Sequence, residues 1–256
     1  TVLALAASII VANVLGPERR GYYGLITMAV TTIAAFGHLG TGAAISYHTG
    51  KKNYSHNDIL TFLILSSLVL GIIFGGAFFF AYPYISNIWV DISRPLMLLG
   101  LVAVPLTFFI TYMQRFLLGM LRVRQSNIAK LMQVGSYTLL VGVIFLLTGG
   151  DVTKVVFCYV ASMFIASVLS FALFTRDIRP LGRPNGAMIA PFVTYGIQVY
   201  LIFVFNYLNH RFDIIMIKHF LSPSDVSYYQ IPVNMCERLW QIPRAMSSIL
   251  FPTLLA

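Results

Sequence analysis

The chain has 256 residues, 58% of them hydrophobic and 10% charged, with a formal net charge of +9 and a mean hydropathy of +0.83. Soluble domains carry about 25% charged residues, so this composition excludes a water-soluble globule. Continuous apolar runs, rather than the alternation of barrel strands, indicate an all-α, polytopic membrane protein.

A membrane-crossing helix needs roughly 20 mostly apolar residues. Span 1 covers residues 1–15, and Gly16-Pro17 is expected to end it, because proline cannot continue a helix and glycine suits a left-handed cap. Span 2 runs over 22–47 and contains the patch Gly37-His38-Leu39-Gly40-Thr41-Gly42, whose glycines permit close helix approach or a local bend. A polar loop with Lys51, Lys52 and Asp58 follows, with Ser55 or Asn57 as the N-cap of the next helix. Span 3 covers 59–81 without a charge, and span 4 covers 95–120 with an expected kink at Pro105. After the basic segment Arg122, Arg124 and Lys130, Ser126-Asn127 offers caps for span 5, which reaches residue 147. Gly149-Gly150-Asp151 forms a turn, and span 6 covers 153–175.

The one composition break lies at 176–187, rich in proline, glycine and charge, and reads as a cytoplasmic linker between two units. Span 7 (188–221) and span 8 (226–250) follow it. The expectation is an N-terminal six-helix bundle (1–175), the linker, and the first two helices of a second bundle (188–256). With Thr1 inside one apolar run and Ala256 directly after another, the sequence reads as a fragment cut at both ends.

An internal echo supports the duplication. Leu15-Gly16-Pro17-Glu18-Arg19-Arg20-Gly21-Tyr22-Tyr23 and Leu221-Ser222-Pro223-Ser224-Asp225-Val226-Ser227-Tyr228-Tyr229 match in register at Leu, Pro, Tyr and Tyr. Both sit between apolar runs, as the first hairpin of each bundle.

Basic residues set the orientation. The loops after spans 2, 4 and 6 carry eight Lys and Arg, against four in the loops after spans 1, 3, 5 and 7. Even-numbered loops are therefore expected in the cytoplasm. Their dispersal in short loops argues against nucleic acid as a partner. Cys158 and Cys236 lie inside apolar runs and read as packed small hydrophobes, with no disulfide or metal site. Tyr22-Tyr23, Tyr228-Tyr229 and Trp89 read as interfacial anchors.

Enzymatic chemistry has little support. There is no glycine-rich phosphate loop and no clustered metal ligands, and no cofactor is expected. Ser55-His56-Asn57-Asp58 reads as a capping loop, with His48 and His56 as loop residues.

Ionisable groups at membrane depth mark function unless paired. Spans 3, 5 and 6 have none at their centres, whereas spans 7 and 8 carry His210, Arg211, Asp213, Lys218, Glu237, Arg238 and Arg244. At 1.5 Å per residue, Arg211 stands roughly 15 Å and Asp213 roughly 12 Å from the Leu221 end, and Glu237 roughly 18 Å from Asp225. Arg211 is expected to face Glu237, or Asp213 to face Arg238, with the leftover positive charge lining a cavity. A purely structural ion-pair seam is the alternative. Asp213 can also reach His210, three residues away, while Lys218 and Arg244 snorkel to the interfaces.

The motif apolar-Leu15-Gly16-Pro17-Glu18-x-x-Gly21-x-Tyr23 resembles the first hairpin of bacterial Wzx-type polysaccharide (O-antigen) flippases. These are a branch of the multidrug/oligosaccharidyl-lipid/polysaccharide exporter superfamily. Arg211-x-Asp213 through Tyr228-Tyr229 to Ile242-Pro243 and Leu250-Phe251-Pro252 resembles that family's seventh and eighth helices. Gly119-Met120-Leu121-Arg122-Val123-Arg124 with Asn127 resembles its fourth-to-fifth helix loop. Ser222 stands where the family usually has glycine, and Arg19-Arg20 is more basic than usual.

The resemblance implies two six-helix bundles around a central cavity in the bacterial cytoplasmic membrane. The cavity would move a polyprenyl-diphosphate-linked oligosaccharide by alternating access. Arg211, Arg238 and Arg115 would attract the diphosphate. Membrane lipids and polysaccharide polymerase machinery are the implied partners. The alternatives are a multidrug or cation antiporter, a peptidoglycan-precursor flippase, and a non-transporting membrane scaffold. A membrane-embedded glycosyltransferase would need a sizeable catalytic loop, which this sequence does not contain.

Overall fold

The computed structural model describes residues 2–85, 92–148, 151–175, 186–220 and 243. Within them every regular element is a helix: α1 (Val2–Gly37), α2 (Thr41–Gly50), α3 (His56–Ile85), α4 (Arg94–Leu101), α5 (Ala103–Gly119), α6 (Val123–Thr148), α7 (Val152–Phe174) and α8 (Gly186–Phe220). The chain divides into two compact units, Thr1–Val199 and Tyr200–Ala256, and the division falls inside α8. In the second unit the described residues are those that continue α8 to Phe220, and residue 243.

The all-helical membrane architecture is as expected. Among the described residues four helical stretches are long and apolar enough to cross a membrane: His56–Tyr84, Arg94–Gly119, Val123–Ile144 and Val152–Phe174. Gly21–Gly37 with Thr41–Gly50 makes a fifth if that pair, bent by 53°, counts as one span. The expected spans 1, 7 and 8 fall wholly or partly on residues outside the described set.

The turn expected at Gly16-Pro17 does not form: α1 continues through it. Proline removes one backbone bond, but Glu18, Arg19 and Arg20 are good helix formers that carry the helix onward. Pro83 and Pro191 likewise sit inside α3 and α8. The kink expected at Pro105 appears as the break at Val102, between α4 and α5. Proline cannot donate to the carbonyl four residues back and its ring crowds that carbonyl, so the ladder fails at Leu101 and Val102.

Helix α5 is the centre of the first unit, packing on α2, α3, α6 and α7. Phe108, Tyr112, Met113, Phe116 and Leu117 are fully buried along it. Helix α3 presents Ser67, Gly71 and Gly75, four residues apart, to this core. A β-carbon on Gly71 would come within 2.5 Å of Pro105 Cβ, so only a glycine admits this approach. The opposite face of α3, with Leu65, Leu68, Val69, Ile72 and Ile73, is exposed and suits lipid.

Ser55 caps α3 as expected. Its Oγ accepts the Asp58 N–H at 3.2 Å and donates to Asp58 Oδ2 at 2.8 Å. Ser126 does not cap: α6 already begins at Val123, and the buried Ser126 hydroxyl donates to the Gln114 carbonyl at 3.3 Å.

Candidate functional site

The span formed by α1 and α2 is interrupted at His38–Gly40, where Leu39 (φ 44°) and Gly40 (φ 73°) take left-handed conformations. An interruption exposes backbone groups that lipid cannot satisfy. Here the His38 ring answers part of that need, since its Nδ1 accepts the Gly40 N–H at 3.0 Å. The His38 carbonyl accepts from Thr41 at 2.8 Å, and the Gly40 carbonyl accepts from Ala43 and Ala44 at 3.0 and 3.2 Å. The glycine patch does what its sequence suggests. Gly42 leaves room for Arg115, whose Cγ would lie 3.3 Å from a β-carbon there, and Gly40 lies against the backbone of Gly196 in α8.

Helix α5 brings Tyr112 and Arg115 to this break on one face, three residues apart. Tyr112 is fully buried. Its hydroxyl lies towards the Thr41 side chain but outside hydrogen-bonding geometry, so it has no partner among the described residues. Arg115 is exposed, and its charge acts on His38. Among the described residues no carboxylate pairs with Arg115. The broken span is therefore flanked by a fixed cation and an unsatisfied hydroxyl.

At the far end of α2 an aromatic cluster forms around His48. This residue belongs to a helix and is 6% exposed, not a loop residue as expected. Its ring stacks on Phe192 of α8 at 4.4 Å between centroids. It meets the edges of Tyr47 (5.2 Å), Tyr54 (5.6 Å) and Tyr195 (6.2 Å). Tyr47 and Tyr195 stack at 4.2 Å, and Phe62 packs on Phe192 at 4.5 Å. His48 Nδ1 is bonded by Asn53 Nδ2 at 3.2 Å. Its Nε2 lies towards the Pro191 carbonyl but makes no bond of ordinary geometry. Lys51, in the exposed turn, places its Nζ 4.9 Å from the Tyr47 ring centre. The nearby Tyr47 hydroxyl raises the Lys51 pKa above the usual lysine value.

A second polar cluster lies between α1, α6 and α7. The Tyr137 hydroxyl donates to that of Tyr23 at 2.6 Å, and their rings are parallel at 6.5 Å. Tyr159 stands edge-on to both. Tyr23 is thus a half-buried residue within the bundle.

Of the residues expected to line a cavity, Arg115 is placed at the broken span. His210, Arg211 and Asp213 are carried on the helical backbone of α8, and their side chains lie outside the described residues. Glu237 and Arg238 lie outside them entirely, so the pairs Arg211–Glu237 and Asp213–Arg238 have no described geometry. The acidic side chains that are described, Asp58 and Asp151, stand at helix starts. Among the described residues no group of His, Cys, Asp or Glu could hold a metal ion.

A family model described as "Polysaccharide biosynthesis protein" matches residues 1–255. No curated protein matches the chain. Among solved structures, a MATE transporter in its straight conformation superposes with a TM-score of 0.68 at 17% identity, covering 90% of this chain and 55% of that one. A transporter of the MOP superfamily from Pyrococcus furiosus gives 0.63 at 18% identity, covering 78% of this chain and 48% of that one. An outward-facing multidrug-resistance MATE transporter gives 0.62 at 18% identity, with the same coverage. The chain spans about half the length of these structures and shares their fold over most of its own.

Proposed function

Because the chain belongs to the polysaccharide biosynthesis protein family, we propose that it is the first part of a flippase for polyprenyl-diphosphate-linked oligosaccharide. The full-length protein would work by alternating access in the bacterial cytoplasmic membrane, with even-numbered loops inside. The observation that carries the reading is the interrupted α1–α2 span with Arg115 beside it. Transporters build anion and substrate sites at discontinuous helices, and a guanidinium grips phosphate oxygens two at a time. Arg211 and Arg238, with His210, Asp213 and Glu237 as pairing groups, are the candidates for holding diphosphate in the second bundle. The second bundle is an internal repeat of the first, and the sugars and diphosphate cross while the lipid tail stays in the bilayer.

A cation antiporter is the second reading, favoured by the likeness to MATE transporters. Such a carrier often relies on an acid within its first bundle. Spans 2 to 6 carry no central Asp or Glu, so the flippase reading is preferred.

The test is reconstitution of the full-length protein in proteoliposomes. Translocation of a polyprenyl-diphosphate oligosaccharide without efflux of cationic dyes supports the flippase. Dye efflux driven by an ion gradient, with no lipid translocation, overturns it.

A further inference from the structure

Helix α8 is shared: Gly186 to Val199 pack in the first compact unit, and the same helix continues into the second from Tyr200. Its buried face in the first unit is the stripe Met188, Phe192 and Gly196, with Tyr195 half-buried beside it. We propose that the stack of Tyr47 and His48 of α2 on Tyr195 and Phe192 of α8 is a latch, closed in this conformation, that opens when the transporter alternates. This inference rests on the alternating-access reading above.

Three observations carry it. First, the helix is continuous past the latch. At 1.5 Å per residue, Tyr195 stands about 7.5 Å from Tyr200, so a rotation of the second part of α8 reaches the stack within two turns. Pro191, where a bend would uncouple the two, lies on the other side of Phe192 and Tyr195. Second, the contact has a fulcrum. The residue after Tyr195 is Gly196, whose backbone lies directly on Gly40 at the span interruption. Third, the latch is made of ring faces and edges, and among the described residues His48 Nε2, lying towards the Pro191 carbonyl, makes no hydrogen bond of ordinary geometry. A permanent core contact gains from satisfying every buried polar atom, whereas a contact made and broken in each cycle needs a small difference between its closed and open states.

The test is a distance measurement in the full-length protein with Cys158 and Cys236 replaced by alanine. Spin labels are placed at Leu121→Cys and Phe205→Cys, two exposed positions in different units, and pulsed EPR is recorded in nanodiscs. Tyr195→Phe keeps the stacked ring and is expected to match the parent distribution. Tyr195→Ala is expected to raise the ratio of the second distance population to the first by about 2- to 10-fold, the worth of one aromatic pair. Phe192→Ala/Tyr195→Ala is expected to raise it further. If an alanine variant does not fold, Tyr47→Leu and Tyr195→Leu keep apolar volume, lose the stack and are judged by the same criterion. Distributions that superimpose on the parent in every folded variant lacking the stack overturn the latch.

Translocation of lipid-linked oligosaccharide by the parent is scored separately. Latch-dependent distances without translocation remove the substrate reading and keep the latch. Translocation with distances indifferent to the stack removes the latch and keeps the substrate.

Discussion

The backbones of Gly40 and Gly196 meet so closely that a β-carbon on Gly40 would lie 1.9 Å from the Gly196 carbonyl oxygen. The contact joins the interruption of one span to the helix that leads out of the first unit. Gly40 also holds φ 73°, a conformation that other L residues adopt at a cost. Gly40→Ala therefore meets two penalties at once. It is expected to lower stability by more than about 2 kcal/mol, read as loss of the folded, monodisperse fraction on heating in detergent. Gly196→Ala, whose β-carbon would lie 2.9 Å from the Leu39 carbonyl oxygen, is expected to be the milder of the two.

The packing of α3 on α5 makes a cleaner comparison. A β-carbon at Gly71 would lie 2.5 Å from Pro105, whereas at Gly76 it would meet nothing within 4 Å. Gly71→Ala is expected to destabilise by about 1–3 kcal/mol through overpacking. Gly76→Ala should be neutral or slightly stabilising, because alanine favours helix by about 1 kcal/mol over glycine. Equal thermal stabilities for the two variants would show that α3 does not pack on α5 as described.

The Tyr137–Tyr23 hydrogen bond at 2.6 Å ties α6 to α1. Tyr23→Phe, Tyr137→Phe and the double variant form a thermodynamic cycle. The expected coupling is about 0.6 kcal/mol, the average for interhelical hydrogen bonds inside a membrane. A coupling of zero would mean that the two hydroxyls bond elsewhere.

Much of this arrangement was legible in residue order. Apolar run length located α3, α6 and α7, though not the start of α6, Ser55 was one of two cap candidates, and Pro105 marked the break between α4 and α5. Gly37, Gly40 and Gly42 marked the interruption because three glycines in six residues weaken any helix. What residue order concealed was tertiary. Gly16-Pro17 carries the local signs of a helix end, yet the helix passes through. His48 reads as polar and loop-bound beside Lys51 and Lys52, yet it is buried. Its helical spacing with Ala44, Ile45 and Thr49, all buried, was the available signal. No periodicity in α2 alone could reveal that α8 supplies the covering rings. The unsatisfied Tyr112 hydroxyl was likewise hidden, since one tyrosine in an apolar run resembles any other.

The central claim is a cationic path for diphosphate, and the most direct measurement is the leaflet distribution of lipid-linked oligosaccharide in cells whose full-length protein carries Arg115→Ala or Arg211→Ala. Loss of a charge-assisted phosphate contact is worth about 1.5–3 kcal/mol. Export is therefore expected to fall about 10-fold or more, with substrate accumulating on the cytoplasmic leaflet at normal protein levels. Arg115→Lys, which keeps charge but not the two-pronged grip, should fall between. Normal export in both alanine variants would contradict the account.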